Sequence, residues 1–320
     1  MYRLFLPHLS TPNSKFVFHA KQTPVKELAA SDVVVVQRQC TRGNMMALKQ
    51  MQEMGIKVVY DLDDDLWSIP GSSPAKKIFA PVREGFGACM ECCDAVTVST
   101  EHLKSAVNTS VPLARGKIIE VIPNAMDFNY MVPPPIPRSS DKVVVGWGGS
   151  NTHQGDVRDV WMVLPELLRD LPQLYLEFIG MNPPKSLVGH SRVKMKPYVP
   201  IGEFAARYPS NGWDIILAPL DECRFNNSKS NIKFLEAAAI GSVCLGSPVG
   251  PYREFCSKSP DLNWLLCNSP TAWKEKIRAL VLDAELRARM ARETRIVAEA
   301  HYNQINMSKK WMRLFQRLVA

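Results

Sequence analysis

Residues 142–150 read KVVVGWGGS, and this stretch decides the architecture. Three valines make a β-branched run suited to a buried strand, and the glycines that follow turn the chain sharply. Behind it, residues 159–172 (DVWMVLPELLRDLP) carry apolar side chains at helical spacing. The alternation continues through LYLEFIG at 174–180, RVKMKPYVP at 192–200, WDIILAPL at 213–220 and SVCLGS at 242–247, with an apolar helix between the last two. Strands that alternate with helices in this way build a parallel, doubly wound sheet covered on both faces.

The same pattern occurs once upstream. YRLFLP at 2–7, DVVVVQRQ at 32–39, IKVVYDLD at 56–63 and DAVTVST at 94–100 read as buried parallel strands, separated by helical stretches such as TRGNMMALKQMQEMG at 41–55. Between the two series lies FNYMVPPPIPRSSD at 128–141, whose prolines interrupt helix and central strand and favour extended chain. The reading is therefore α/β with two doubly wound domains, 1–137 and 138–300, and a C-terminal helix at 301–320. In that tail Trp311, Leu314, Phe315 and Leu318 fall on one stripe. Such a stripe either docks on the protein's own surface or lies peripherally on a membrane.

With 320 residues, 46% hydrophobic and 22% charged, the chain has the material for two cores of ordinary size. No apolar run approaches the roughly eighteen residues of a transmembrane segment, and the first residues lack the basic-then-apolar pattern of a signal peptide. The expected location is cytoplasmic. Eight scattered cysteines accordingly read as reduced thiols. Cys89, Cys92 and Cys93 contain one CxxC, but neither a second pair nor a suitably spaced histidine completes a zinc site, so no metal is expected.

The formal net charge is +8, and its distribution is uneven. Residues 1–137 hold 14 Lys and Arg against 13 Asp and Glu, which leaves 25 against 18 of the chain's 39 and 31 for the remainder. Within the first part, residues 1–57 hold 8 basic against 3 acidic side chains, before the acidic cluster at 61–65 cancels most of the excess. Such a balance suits an anionic partner.

The sharpest candidate site lies between WDIILAPL and SVCLGS. A polar connector, DECRFNNSKS, leads into an apolar helix from Asn231 to Ile240, stopped by Gly241 in the C-cap position, with Ser230 as the expected N-cap. The free amides of Asn231 and Ile232 at that start, with Lys229 beside them and Arg224 upstream, suit a diphosphate. Glu236 stands further in, where a carboxylate can accept two hydrogen bonds from a ribose; the alternative is a salt bridge to Lys233, three residues back. In the 142–156 stretch Gly148 and Gly149 either admit a bound group closely or answer to packing, Ser150 and Thr152 can donate to the same ligand, and His153 either orients a donor phosphate or sugar or holds the loop.

The cluster Asp61, Asp63, Asp64 and Asp65 ends a strand, and doubly wound sheets present ligands at the carboxyl ends of their strands. Asp64 and Asp65 are the candidates for receiving an acceptor proton or hydrogen-bonding acceptor hydroxyls; the other reading is capping of the next turn plus a salt bridge. His8 follows the first expected strand and could reach the same edge. Trp67 either walls an acceptor pocket or packs.

NSKSNIKFLEAAAIGSVCLGSPVG at 227–250 resembles the donor-binding signature of glycosyltransferases with the GT-B fold, specifically the family-4-like group. YDLDDDLWSIP, DAVTVSTEHLKSAV, IIEVIPNAMD, VGWGGSNTHQGD and DIILAPL stand in the order that family uses, over most of the chain. The resemblance implies two Rossmann-like domains facing a cleft, the C-terminal helix crossing back to the first domain, the donor held mainly by the second domain and the acceptor chosen by the first. It implies sugar transfer from a nucleotide-diphosphate sugar to a hydroxyl with retention of configuration. It brings no cofactor beyond that co-substrate. Donor contacts then fall on Gly148, Gly149, Ser150, Arg224, Lys229, Ser230, Asn231, Ile232 and Glu236, and catalytic roles on Asp64, Asp65 and His153. Asn124 and Asp127 match a family element near the interdomain crossover.

One departure stands out. Many members carry two glutamates seven residues apart; the later matches Glu236, whereas the earlier falls on Ser228, and Asn231 replaces a glycine. The implied acceptor is a glycan or lipid-linked saccharide, while the positive charge also fits a hydroxylated base in DNA. A chain that binds the nucleotide sugar without turnover is the third reading.

Overall fold

The computed structural model describes residues 3–15, 25–113, 116–129, 142–197, 203, 208 and 211–320. The expected domain boundary at 137/138 and most of the linker at 128–141 lie outside the described residues. Two compact units emerge: Met1–Ala125 with Asn227–Ser230 and Gln304–Ala320, and Met126–Asn226 with Asn231–Asn303.

In the first unit β1 (Val33–Gln37), β2 (Lys57–Leu62), β3 (Ala95–Val98) and β4 (Ile118–Val121) pair in parallel in that order. Val35 lies opposite Val59, Val59 opposite Ala95, and Ala95 opposite Ile118. This apolar row is covered by the C-terminal helix Gln304–Val319, whose Met307, Trp311 and Leu314 join Val59, Ala95, Ile122 and Ala125 in one buried cluster, with Phe315 and Leu318 against it. The tail stripe therefore packs on the unit's own core. Helix Arg42–Glu53 starts with a reciprocal Thr41/Asn44 cap, and Thr100 caps helix Glu101–Ser110 by accepting the Leu103 amide at 3.1 Å.

Of the segment at 2–7, expected as the first strand, the described residues 3–7 form no strand. Phe5–His8 forms a short helix that packs on the C-terminal helix, and Ser308 Oγ donates to the Pro7 carbonyl at 2.7 Å. Pro7 has no amide for a strand ladder, and the Arg3 guanidinium is drawn inward to Asp61 and the Ile122 carbonyl. His8 consequently does not follow a strand end; its Nδ1 lies 2.6 Å from Ser14 Oγ.

In the second unit β5 (Val143–Gly148), β6 (Leu174–Ile179), β7 (Val193–Lys196), β8 (Ile215–Ala218) and β9 (Val243–Gly246) form a parallel sheet ordered β7-β6-β5-β8-β9. The chain fills one side from β5 outward and then returns to place β8 on the other. The strand order thus reverses between β5 and β8, and ligands of such sheets bind outside the carboxyl ends of the strands at that point. Trp213 lies beneath β5: a Cβ at Gly146 would overlap its ring, and its Nε1 donates to Glu177 at 2.8 Å.

Candidate functional site

The carboxyl ends of β5 and β8 bring two candidate loops together. After β5, Ser150 Oγ lies 2.6 Å from Thr152 Oγ1, and Asn151–His153 form one 3-10 turn. Asp156 then joins the two loops. Its Oδ2 lies 2.8 Å from His153 Nδ1, while its Oδ1 accepts from the Asp221 amide at 2.9 Å and from Asn226 Nδ2 at 2.8 Å. Burial pushes this carboxyl upward, but the hydrogen bonds from His153, Asp221 and Asn226 outweigh it and hold the group below its ordinary value. Arg224 opens the short helix Arg224–Asn227 that follows the β8 loop.

The glycines of this turn are tied to tryptophan packing. A Cβ at Gly149 would press to 2.8 Å from the Trp147 ring, and one at Gly148 would meet Trp213 at 3.3 Å. None of Gly146, Gly148 and Gly149 needs a positive φ. Packing therefore accounts for these residues without a ligand, which is one of the two readings open in the sequence.

Helix Ile232–Ile240 ends at Gly241 in the left-handed conformation, φ 69°, as its sequence predicts. Its start differs from expectation. Asn231, not Ser230, is the N-cap residue, and no side chain caps the first amides. The Ser230 hydroxyl instead accepts from Asn124 Nδ2 at 2.7 Å, and the Asn231 side chain is engaged by the Tyr302 hydroxyl. Glu236 is 3% exposed and accepts from Lys233 Nζ at 2.8 Å. Tyr208 lies beside it; burial first, and then the Glu236 charge, push that phenol well above its ordinary range.

Asp61 in β2 and Asp63, Asp64 and Asp65 after it, all in the first unit, divide by burial. Asp61 is fully buried and accepts from Arg3, from Gln37 Nε2 at 2.8 Å and from Thr97 Oγ1 at 2.8 Å. Asp65, also fully buried, holds the next turn by accepting from the Trp67 amide at 3.2 Å and from Ser68 Oγ at 2.5 Å. Asp63 and Asp64 are half-buried and share Arg38, at 2.6 Å each. Asp64 Oδ1 also stands 4.0 Å from Lys229 Nζ, and Thr100 Oγ1 donates to the Ser228 carbonyl at 3.0 Å. The expected donor loop at 227–230 and the acceptor-side aspartate thus meet within one compact unit. Asp127 accepts from the Asn129 amide at 2.8 Å and shapes a local turn.

Among the described residues no group of three or more His, Cys, Asp or Glu converges to hold a metal ion, and no helix is long and apolar enough to cross a membrane. Cys89, Cys92 and Cys93 are free thiols, with Cys93 Sγ 3.1 Å from the Cys89 carbonyl.

No family model matches the sequence, and no curated protein matches it by sequence. Comparison with solved structures does find the architecture. Sucrose-phosphate synthase from Thermosynechococcus elongatus superposes with a TM-score of 0.67 at 14% identity, over 97% of this chain and 87% of that one. Anabaena HepE, solved with UDP and glucose, gives 0.64 at 12% identity over 92% and 80%. S. aureus TarM, solved with Fondaparinux, alpha-GlcNAc-glycerol and UDP, gives 0.65 at 12% identity over 91% of this chain. The chain has the GT-B fold. It spans 58% of the length of TarM, so the likeness extends to part of that protein.

Within this GT-B chain two residues escape the motif search. Arg38 stands directly after β1, next to the end of β2 where the aspartates lie, and Asp156 stands three residues after His153. Position at a strand end and a His-x-x-Asp spacing were the available signals.

Proposed function

We propose that this chain is a glycosyltransferase that moves a sugar from a nucleotide-diphosphate sugar to a hydroxyl acceptor, in the manner of the family-4-like group and with retention of configuration. One observation carries the reading. The helix Ile232–Ile240 starts with amides that no side chain caps, follows directly on Lys229 and Ser230, and buries a carboxylate, Glu236, inside. Uncapped amides at a helix start favour an anion by about 0.3–1 kcal/mol. The likeness in fold to HepE and TarM, both solved with UDP, supports the same assignment.

In this reading the diphosphate lies at the helix start, where the amides of Asn231 and Ile232, Lys229 and Arg224 meet the charge that grows on it as it departs. Glu236 takes the ribose hydroxyls. His153 orients the donor phosphate or sugar, with Gly148, Gly149 and Ser150 on the same side. Asp64 hydrogen-bonds the acceptor hydroxyl, and Asp65 shapes its loop. Charge neutralisation is assigned to protein groups, so donor binding withstands a chelator. The acceptor is a glycan or lipid-linked saccharide. The basic excess in residues 1–57 favours a second reading, a hydroxylated base in DNA.

The test is thermal stability and titrated affinity with UDP-, GDP-, ADP- and TDP-sugars, with and without chelator. Ligand at about a hundred times its dissociation constant adds close to 2.7 kcal/mol of stability. A selective, chelator-insensitive shift is expected; no shift with any of them overturns the proposal. Acceptor screening then separates the readings, because affinity for DNA falls steeply with salt and affinity for a neutral glycan does not. Donor binding without transfer to any acceptor identifies a silent binding protein.

A further inference from the structure

The loop after β5 contains a carboxylate that is costly for mere loop closure. Asp156 has only 9% of its side chain exposed, yet it carries charge, and both of its oxygens are used in different directions. We propose that Asp156 is a positioning residue of the donor site, which fixes the tautomer and ring orientation of His153 and ties the β5 loop to the β8 loop that leads to Arg224. The tie and the tautomer rest on the geometry alone; what His153 then touches rests on the donor reading above.

An ionised carboxylate only accepts, so the 2.8 Å contact requires His153 Nδ1 to carry the proton. That leaves Nε2 as the ring nitrogen available to a ligand. On the neutral ring Nε2 is a lone pair, which repels a phosphate oxygen; on the charged ring it is a donor. The ring itself is packed, its edge toward Trp147 at 6.5 Å and 78°. On the other side Asn226, 2% exposed, donates both to Asp156 Oδ1 and to the Asp221 carbonyl at 2.8 Å, so the β8 loop is fastened at two points. Among the described residues, Asp221 senses Asp156, Arg158 and Asp159, and Tyr252 from helix Gly250–Cys256 senses Asp156.

The variant that isolates this role is Asp156→Asn. Its side-chain oxygen still accepts from Asp221 and Asn226, but its amide now donates to Nδ1 and forces the proton onto Nε2. Nitrogen-15 labelling of the six histidines, with His153 assigned by loss of its signal in His153→Gln, reads the tautomer directly. The neutral wild-type ring is expected to be protonated on Nδ1 and the Asp156→Asn ring on Nε2. An Nε2-protonated wild-type ring overturns the proposal whether or not the variant folds.

The functional readout uses UDP-glucose, whose diphosphate diester keeps its charge over the range tested. Between about pH 5.5 and 8.5 wild-type affinity is expected to fall roughly tenfold, whereas Asp156→Asn, whose Nε2 donates in either state of the ring, stays within about twofold. Equal slopes in the two proteins remove His153 from the phosphate. Absence of UDP-glucose binding in the wild type counts against the donor reading with that nucleotide, while the tautomer measurement still decides the role of Asp156.

Discussion

Glu236 cannot be tested by deletion alone, because alanine would leave the Lys233 ammonium without the carboxylate it donates to at 2.8 Å. Glu236→Gln keeps the shape and one acceptor oxygen while removing the charge. If the carboxylate holds a ribose, donor affinity should fall by about 1.5–3 kcal/mol, roughly ten- to hundredfold, with the melting temperature of the free protein little changed. Unchanged affinity in a folded Glu236→Gln would leave Glu236 a structural role, its contacts with Lys233 and Tyr208. Asp64→Asn belongs beside it: it weakens the Arg38 pair but keeps the shape and one acceptor oxygen, and transfer should drop roughly tenfold or more while donor affinity holds. A parallel loss of donor affinity would mean that Asp64 acts through Lys229, 4.0 Å away. At this scale the sequence pointed to loops and could not resolve the partners of individual atoms. Four neighbouring aspartates look alike in a string, and what separates Asp61 and Asp65 from Asp64 is burial against Arg3, Thr97 and Ser68, which the local pattern does not encode.

Among the elements, the C-terminal helix was legible because its stripe repeats at helical spacing, and a stripe must be covered. The first strand was misread for the opposite reason. Leu4, Phe5 and Leu6 are apolar enough for a strand, but a short apolar run does not distinguish strand from helix, and Pro7 and the inward Arg3 decide the matter through partners far along the chain. Since Trp311 fills the cluster over β2 and β3 at 3% exposure, Trp311→Ala should destabilise the first unit by about 3–5 kcal/mol. Phe315→Ala, at the margin of the same cluster, should cost clearly less. Equilibrium denaturation of both variants checks the order; equal small effects would mean that the helix is not part of the unit's core.

For the whole molecule, alternation of β-branched runs with helical spacing was enough to read two α/β units, because that pattern reports which faces must be buried. The chemistry of burial leads to a pH limit that composition alone does not reveal. Burial raises the phenols of Tyr60, Tyr208, Tyr252 and Tyr302 above their ordinary range. It also pushes the thiol of Cys89 to about 11 and those of Cys256 and Cys267 to about 12. An unfolded chain releases these protons near the ordinary values of 9.0 for thiols and 10.0 for phenols, while the folded chain keeps them. Above pH 9 the unfolded state therefore binds fewer protons, and stability falls with rising pH; below that value both states are protonated and the contribution is fully present. Each group in this condition removes about 1.4 kcal/mol per pH unit, and thiols and phenols of both units contribute. The unfolding midpoint should thus hold nearly level from pH 7 to the onset near 9 and then drop with increasing steepness. Cys256→Ala should soften that drop above pH 9 without changing its onset. A midpoint level through pH 11 would mean that these groups ionise in the folded protein, and hence that the cores that shelter them open to water.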